Sequence, residues 1–275
     1  GDVLTDADYN VAVGVSALGA DTLGSRSTAI GYSALTAQNF TTATDTYNTA
    51  VGFYAGVAIT TGVRNTLIGG LAGDSLTDGD DNIALGYNAL STEDTGSKSI
   101  AIGFEALKTQ NNAASNYNVA IGHAAGTAVT TGTSNTLIGG LTGDALTTGA
   151  DNTAIGTVAL TADTLGSRSV AVGRGTLGAQ NFTTATNAYN VAIGYDAGAA
   201  VTTGVSNTLI GGLAGDAITT GSDNVALGYN SLSAGVASFY NTAIGKDALA
   251  ADTTGRHSVA IGLDALTAQN NTTSA

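Results

Sequence analysis

"NTLIGGL" stands at residues 65–71, again at 135–141 and a third time at 207–213. An enzyme rarely needs one loop in triplicate, whereas a chain that coils on itself needs the same side chain at the same station of successive turns. Around this heptad a five-residue core recurs: Asn or Ser, a β-branched residue, a small or aliphatic one, an aliphatic one, then Gly. It occurs fifteen times, from the copy ending at Gly14 to the copy ending at Gly262, and eleven of the fourteen intervals are 17 residues. The other three intervals, of 21, 19 and 21 residues, carry insertions at 36–47, 108–117 and 178–189. Four coils make a super-repeat, and the heptad is one coil type of the four.

Counted from the opening Asn or Ser, station two is always Thr, Val or Ile and station four always Val, Ile or Leu. These are strand-forming residues on one side of an extended segment. Station three, on the opposite side, is Ala except at Leu67, Leu137 and Leu209. Both sides are apolar, so both need cover, and a thin coil covers one side with its own return segment. The other side is expected to meet a second chain, most economically in a symmetric bundle. A broader coil that buries both faces by itself is the alternative. If station three faces the partners, Leu67, Leu137 and Leu209 form evenly spaced contact layers.

Station nine alternates between Leu (Leu18, Leu90, Leu160) and Gly (Gly56, Gly73, Gly143), and station twelve complements it. Each Gly coil has an aliphatic residue there, such as Ile59 or Leu76, and the Leu coils do not. One bulky residue per coil is what a cavity of constant volume demands. Gly recurs at station fifteen, which predicts φ > 0 or close backbone approach. The opening Asn residues are expected to stack into an amide ladder between coils. Arg64, Asp81 and Lys98 share one station in consecutive coils, as do Asp151 and Arg168, and form a charge ladder.

Composition narrows function. The 275 residues include 39 Gly and no Pro, Cys, Met or Trp, with a net charge of -13 and only eight Lys and Arg. That argues against nucleic acid, whose phosphates need clustered cations. No apolar run approaches the roughly 18 residues of a membrane helix, so no membrane insertion is expected. "GGLAGD" lacks the Lys and Ser/Thr of a phosphate loop and the inner Gly of a calcium nonapeptide. The Asp74, Asp78, Asp80 and Asp81 cluster reads first as solvated turns. His123 and His257 have no recurring carboxylate partner. No enzyme activity, cofactor or metal is expected.

Binding is expected where stations six and seven vary against a constant background: Tyr32, Phe53, Tyr54, Tyr87, Phe104, Tyr195 and Tyr229. Exposed aromatics on a rigid surface suit glycan or protein contacts. Phe40 and Phe182, inside insertions, are further candidates.

Units such as "NTAVGFYAG" (48–56), "NVAIGYDAG" (190–198) and "SVAIGLDAL" (258–266) resemble the head repeats of YadA-like trimeric autotransporter adhesins. They are also similar to the 17-residue repeats of tail-fibre-like proteins of marine phages. The resemblance implies a left-handed parallel β-roll, a homotrimer, a virion or cell-surface location and an adhesive role. The adhesin heads repeat in about 14 residues, and no neck, stalk or anchor is seen. The expectation is therefore an all-β parallel β-solenoid of about 15 coils across residues 1–275, a segment of a longer fibre. Two other functions are weighed: an ice- or crystal-surface binder using Thr60 and Thr61 with their counterparts, and a calcium-dependent surface-layer or filament protein.

Overall fold

The computed structural model describes residue 1 and residues 3–269. The chain is an all-β parallel β-solenoid of about fifteen coils at 17-residue spacing, with no helix among the described residues. Among the described residues, then, no helix is long and apolar enough to cross a membrane. It divides into two compact units, Gly1–Ser134 and Asn135–Ala275. Seven coils fall in the first and eight in the second. Each coil contributes one three-residue strand formed by stations two to four, for example Thr49–Val51 and Thr66–Ile68.

Successive strands pair in parallel and in register, station on station: Thr49 with Thr66, Ala50 with Leu67, Val51 with Ile68. The insertions leave that register intact. Ala29 pairs with Ala50 and Ala171 with Ala192, although each step spans 21 residues. In two of them the extra chain adds a short parallel pair, Gly24–Ser25 with Thr44–Asp45 and Gly166–Ser167 with Thr186–Asn187.

Station three points into the coil. Leu67, Leu137 and Leu209 have 0% exposed surface in the single chain, as do Ala50, Ala84 and Ala154. This corrects the expectation that the three leucines form contact layers against partner chains, because a fully covered side chain has no area to offer. The reason they are Leu lies beside them. A Cβ on Gly56 would stand 2.7 Å from Leu67 Cδ1, and one on Gly73 2.9 Å from Leu67 Cδ2. Leu209 relates in the same way to Gly198 and Gly215, at 2.8 Å each. Each leucine fills volume that glycines at station nine leave open, which is the constant-volume rule carried to a third station.

The face that remains uncovered is the other one. Station-four side chains Val13, Ile30, Ile68 and Ile121 in the first unit, and Ile155, Ile193, Leu227 and Ile261 in the second, are exposed.

Gly at station five has a physical requirement. Gly69 has φ +133°, and a Cβ on it would lie 2.6 Å from the carbonyl oxygen of Gly86 in the next coil. No L side chain fits there. Station fifteen needs Gly for close approach alone: a Cβ on Gly62 would sit 2.5 Å from the Gly79 carbonyl oxygen, without positive φ. The corners that close a 17-residue coil are left-handed even where the residue is not Gly, as at Leu35 (φ 51°), Tyr54 (φ 58°) and Arg64 (φ 59°). Such corners cost about 1–2 kcal/mol each, and burial of the neighbouring interior residues offsets them.

Candidate functional site

The amide ladder is present and does two jobs. Asn65 Nδ2 donates to the Gly79 carbonyl of its own coil at 2.8 Å, closing the turn, while its Oδ1 accepts from Asn82 N of the next coil at 3.0 Å. Asn152 repeats the pattern with Gly166 and Ser169.

Where Ser replaces Asn, a glutamine at station twelve completes the network. Gln180 Nε2 donates to Ser169 Oγ at 3.0 Å and to Asp163 Oδ2, in the preceding coil, at 2.6 Å. Its Oε1 accepts from Asn190 Nδ2 of the following coil at 2.9 Å. The same set forms around Asp21 and Gln38, and around Glu93 and Gln110. These acids and glutamines are fully buried. A carboxylate accepts only, so it orients the Gln amide and thereby presents Oε1 to the next Asn. Burial pushes the Asp163 carboxyl upward, opposed by donation from Gln180 and from backbone N–H groups including Gly166. Sequence reading missed this role, although Ser and Gln eleven residues apart (Ser27 and Gln38, Ser99 and Gln110, Ser169 and Gln180, Ser258 and Gln269) carried the signal.

The surface carries two aromatic rows. At station six Tyr32 stacks on Phe53 at 5.6 Å, and Tyr87, Phe104 and His123 stack in sequence at 5.8 and 5.2 Å. Tyr32, Phe53, Tyr87, Phe104, Tyr195 and Tyr229 are 45–55% exposed, as their station predicts. Tyr54 is half-buried against the Tyr32 and Phe53 rings. Phe40 and Phe182 are only 6% and 5% exposed, which corrects their reading as surface-binding residues. The insertions fold their rings back onto the coil because an apolar ring there gains more from cover than from water.

The second row precedes the opening Asn and was seen in the sequence only as charges. Arg26 lies between the Tyr9 and Tyr47 rings, 5.0 and 5.8 Å from their centroids. Lys98 stands over Tyr117, Arg168 over Tyr189, and His257 stacks on Tyr240 at 5.1 Å. The expected charge ladder forms within it: Arg64 Nε meets Asp81 Oδ1 at 2.5 Å, and Arg168 Nε meets Asp151 Oδ2 at 3.6 Å. Arg64 accordingly holds the Asp81 carboxyl below the usual carboxylate range.

Every one of the eight cations is engaged. Arg174 and Arg256 stand over Tyr195 and Phe239, while Lys108 and Lys246 pair with Glu105 and Asp247 at 2.7 Å each. Three of the four clustered acids are likewise committed, while Asp74 keeps one buried carboxylate oxygen without a partner. Thr60 and Thr61 both donate to Asp78, Val63 N donates to Asp80, and Asp81 holds Arg64. Among the described residues no three His, Asp or Glu side chains form a group able to hold a metal ion.

No family model, curated protein or solved structure matches this chain.

Proposed function

We propose that this chain is a structural and adhesive fibre segment, of a phage tail fibre or a bacterial surface adhesin, that works as a homotrimer of left-handed β-rolls and meets a host surface through its aromatic rows. The observation that carries the reading is the division of each strand. Station three completes the interior, while station four leaves a row of Val, Ile and Leu side chains half-exposed or exposed outside, beside station-two residues that are Thr, Val or Ile. A soluble monomer rarely keeps so contiguous an apolar strip uncovered. Identical strips on identical chains close on one another under rotational symmetry.

The resemblance of the coils to YadA-like heads and phage fibre repeats supports the trimer, the hand and the surface location. The aromatic rows sit beside that strip on a backbone pinned by bonds between coils, which suits recognition without an ordering cost. Donation of both Thr60 and Thr61 to Asp78 breaks the regular hydroxyl plane that an ice binder would use.

Native mass measurement tests the assembly: three chains are expected, and the Ile68→Asp, Ile193→Asp pair on the outer face should yield monomers. A stable native monomer overturns it. Labelled protein applied to a panel of intact bacterial cells tests adhesion, and binding to none overturns that role.

A further inference from the structure

The second glycine of the quoted heptad has no backbone reason to be glycine. Gly70 has no positive φ, and a Cβ on it would meet only the Tyr87 ring at 3.5 and 3.8 Å and the Phe53 carbonyl at 3.9 Å, all ordinary contacts. Gly212 repeats this with Tyr229 at 3.5 and 3.8 Å. Station six bears a side chain in every coil except those of Gly70, Gly140 and Gly212. What the glycine does at the first and last of these is interrupt the ring row.

We propose that Phe53 and Tyr87 across Gly70, and Tyr195 and Tyr229 across Gly212, are two aromatic clamps that each take one neutral pyranose ring of a surface glycan. The inference deepens the adhesive reading and rests on it.

Three of the four walls are supported from behind. Phe53 stacks on Tyr32 and Tyr87 on Phe104, and Arg174 backs the Tyr195 ring. In the row a glycine stands between each pair, and the Tyr87 and Tyr229 rings reach over it, with ring atoms 3.5 and 3.8 Å from where its Cβ would be. The walls are also fixed in place, since Leu71 N donates to the Phe53 carbonyl at 2.9 Å and Asn88 N to the Gly70 carbonyl at 3.1 Å. Leu213 N and Asn230 N make the same bonds to Tyr195 and Gly212, at 2.9 and 3.0 Å.

Two coil spacings put the walls about 9–10 Å apart. A flat ring held at van der Waals contact on both sides needs about 7–8 Å. The remaining width suits a puckered sugar, whose axial C–H groups lie against ring faces while its hydroxyls stay in water. Charge selects a neutral sugar: the chain carries -13, and each of its cations is already held by a ring or a carboxylate. Gly140 lacks the arrangement, because Thr157 follows it in the row.

The test is a screen of the intact native protein on an array of neutral, sialylated and sulfated glycans, followed by calorimetric titration of the best neutral hit. The comparison is the Gly70→Leu, Gly212→Leu variant, which fills both slots and leaves the backbone conformation untouched. Its melting temperature is expected within a few degrees of native. Native protein should bind a neutral glycan, and the filled variant should bind it at least about tenfold more weakly. The Phe53→Ala, Tyr195→Ala variant, which removes one wall from each clamp, should show a comparable loss if filling disturbs the fold. Undiminished binding in the variants, binding of acidic glycans only, or binding of none overturns the clamps. Cell binding that persists in the filled variant also overturns the clamps and leaves the adhesive role standing. A native protein that binds no cell overturns the adhesive role, and the titration still judges the clamps.

Discussion

The Gln180 amide donates to the Asp163 carboxylate at 2.6 Å, from one coil to the coil before it, with both side chains fully buried. Gln38 with Asp21 and Gln110 with Glu93 make the same tie between a buried carboxylate and the coil register. If the two coils slipped, the buried carboxylate would lose that donor.

Removing the donor alone should therefore be costly. Gln180→Ala is expected to destabilise by about 2–4 kcal/mol, since it strands a buried carboxylate. Asp163→Ala with Gln180→Ala should lose less than the sum of the single changes. Thermal melts of the three variants measure this, and simple additivity would contradict the coupling.

Asp163 also sets a pH dependence with a definite sign. Burial raises its folded-state pKa above the ordinary carboxylate value of about 4. Between the unfolded and folded values the native chain binds more protons, so this group's contribution falls as pH rises. Its penalty is absent below the unfolded pKa and complete above the folded one. Asp163→Asn should flatten that part of the curve of melting temperature against pH.

The interior volume can be exchanged between stations. Leu67→Ala should cost about 2–5 kcal/mol, because it empties a fully buried site. Gly73→Leu should cost about 1–3 kcal/mol by overfilling the same space. The two changes together should recover part of either loss, since Leu at station nine with φ near 50° is already native at Leu35, while Leu76 at station twelve of the same coil limits the recovery. Denaturant unfolding of the double variant is the measurement.

Adjacent glycines should respond differently. Gly69→Ala forces a Cβ toward the Gly86 carbonyl at φ +133° and is expected to cost about 3 kcal/mol or more. Gly70→Ala should change stability by no more than about 0.5 kcal/mol. Comparative melting temperatures separate them.

Much of this architecture is legible in residue order. The period of 17, the strand stations and the exchange of Leu18-type for Ile59-type filling all repeat, and repetition reveals a station even when its surroundings are unknown. The station-six rings were legible for the same reason: variability at one station of a constant unit marks exposure. The insertions repeat too seldom for that logic, and Phe40 and Phe182 turned out buried. The left-handed corners at Tyr9, Arg26 and Tyr47 left no compositional mark, because closure of the coil imposes them.

By itself, then, the sequence determined how many coils there are, which residues form strands and where each coil keeps its bulk. Only the tertiary structure decided which apolar side of the strand is the inside. Alternation makes the two sides of Thr66–Leu67–Ile68 equivalent on paper. The coil resolves the choice by size: its narrow interior admits Ala, or one Leu beside two glycines, and leaves the Val and Ile of station four outside. Proximity across the coil likewise decided that Asp163 meets Gln180 and that Gly70 parts two rings. Those relationships depend on which residues stack, and a single coil read alone contains neither partner.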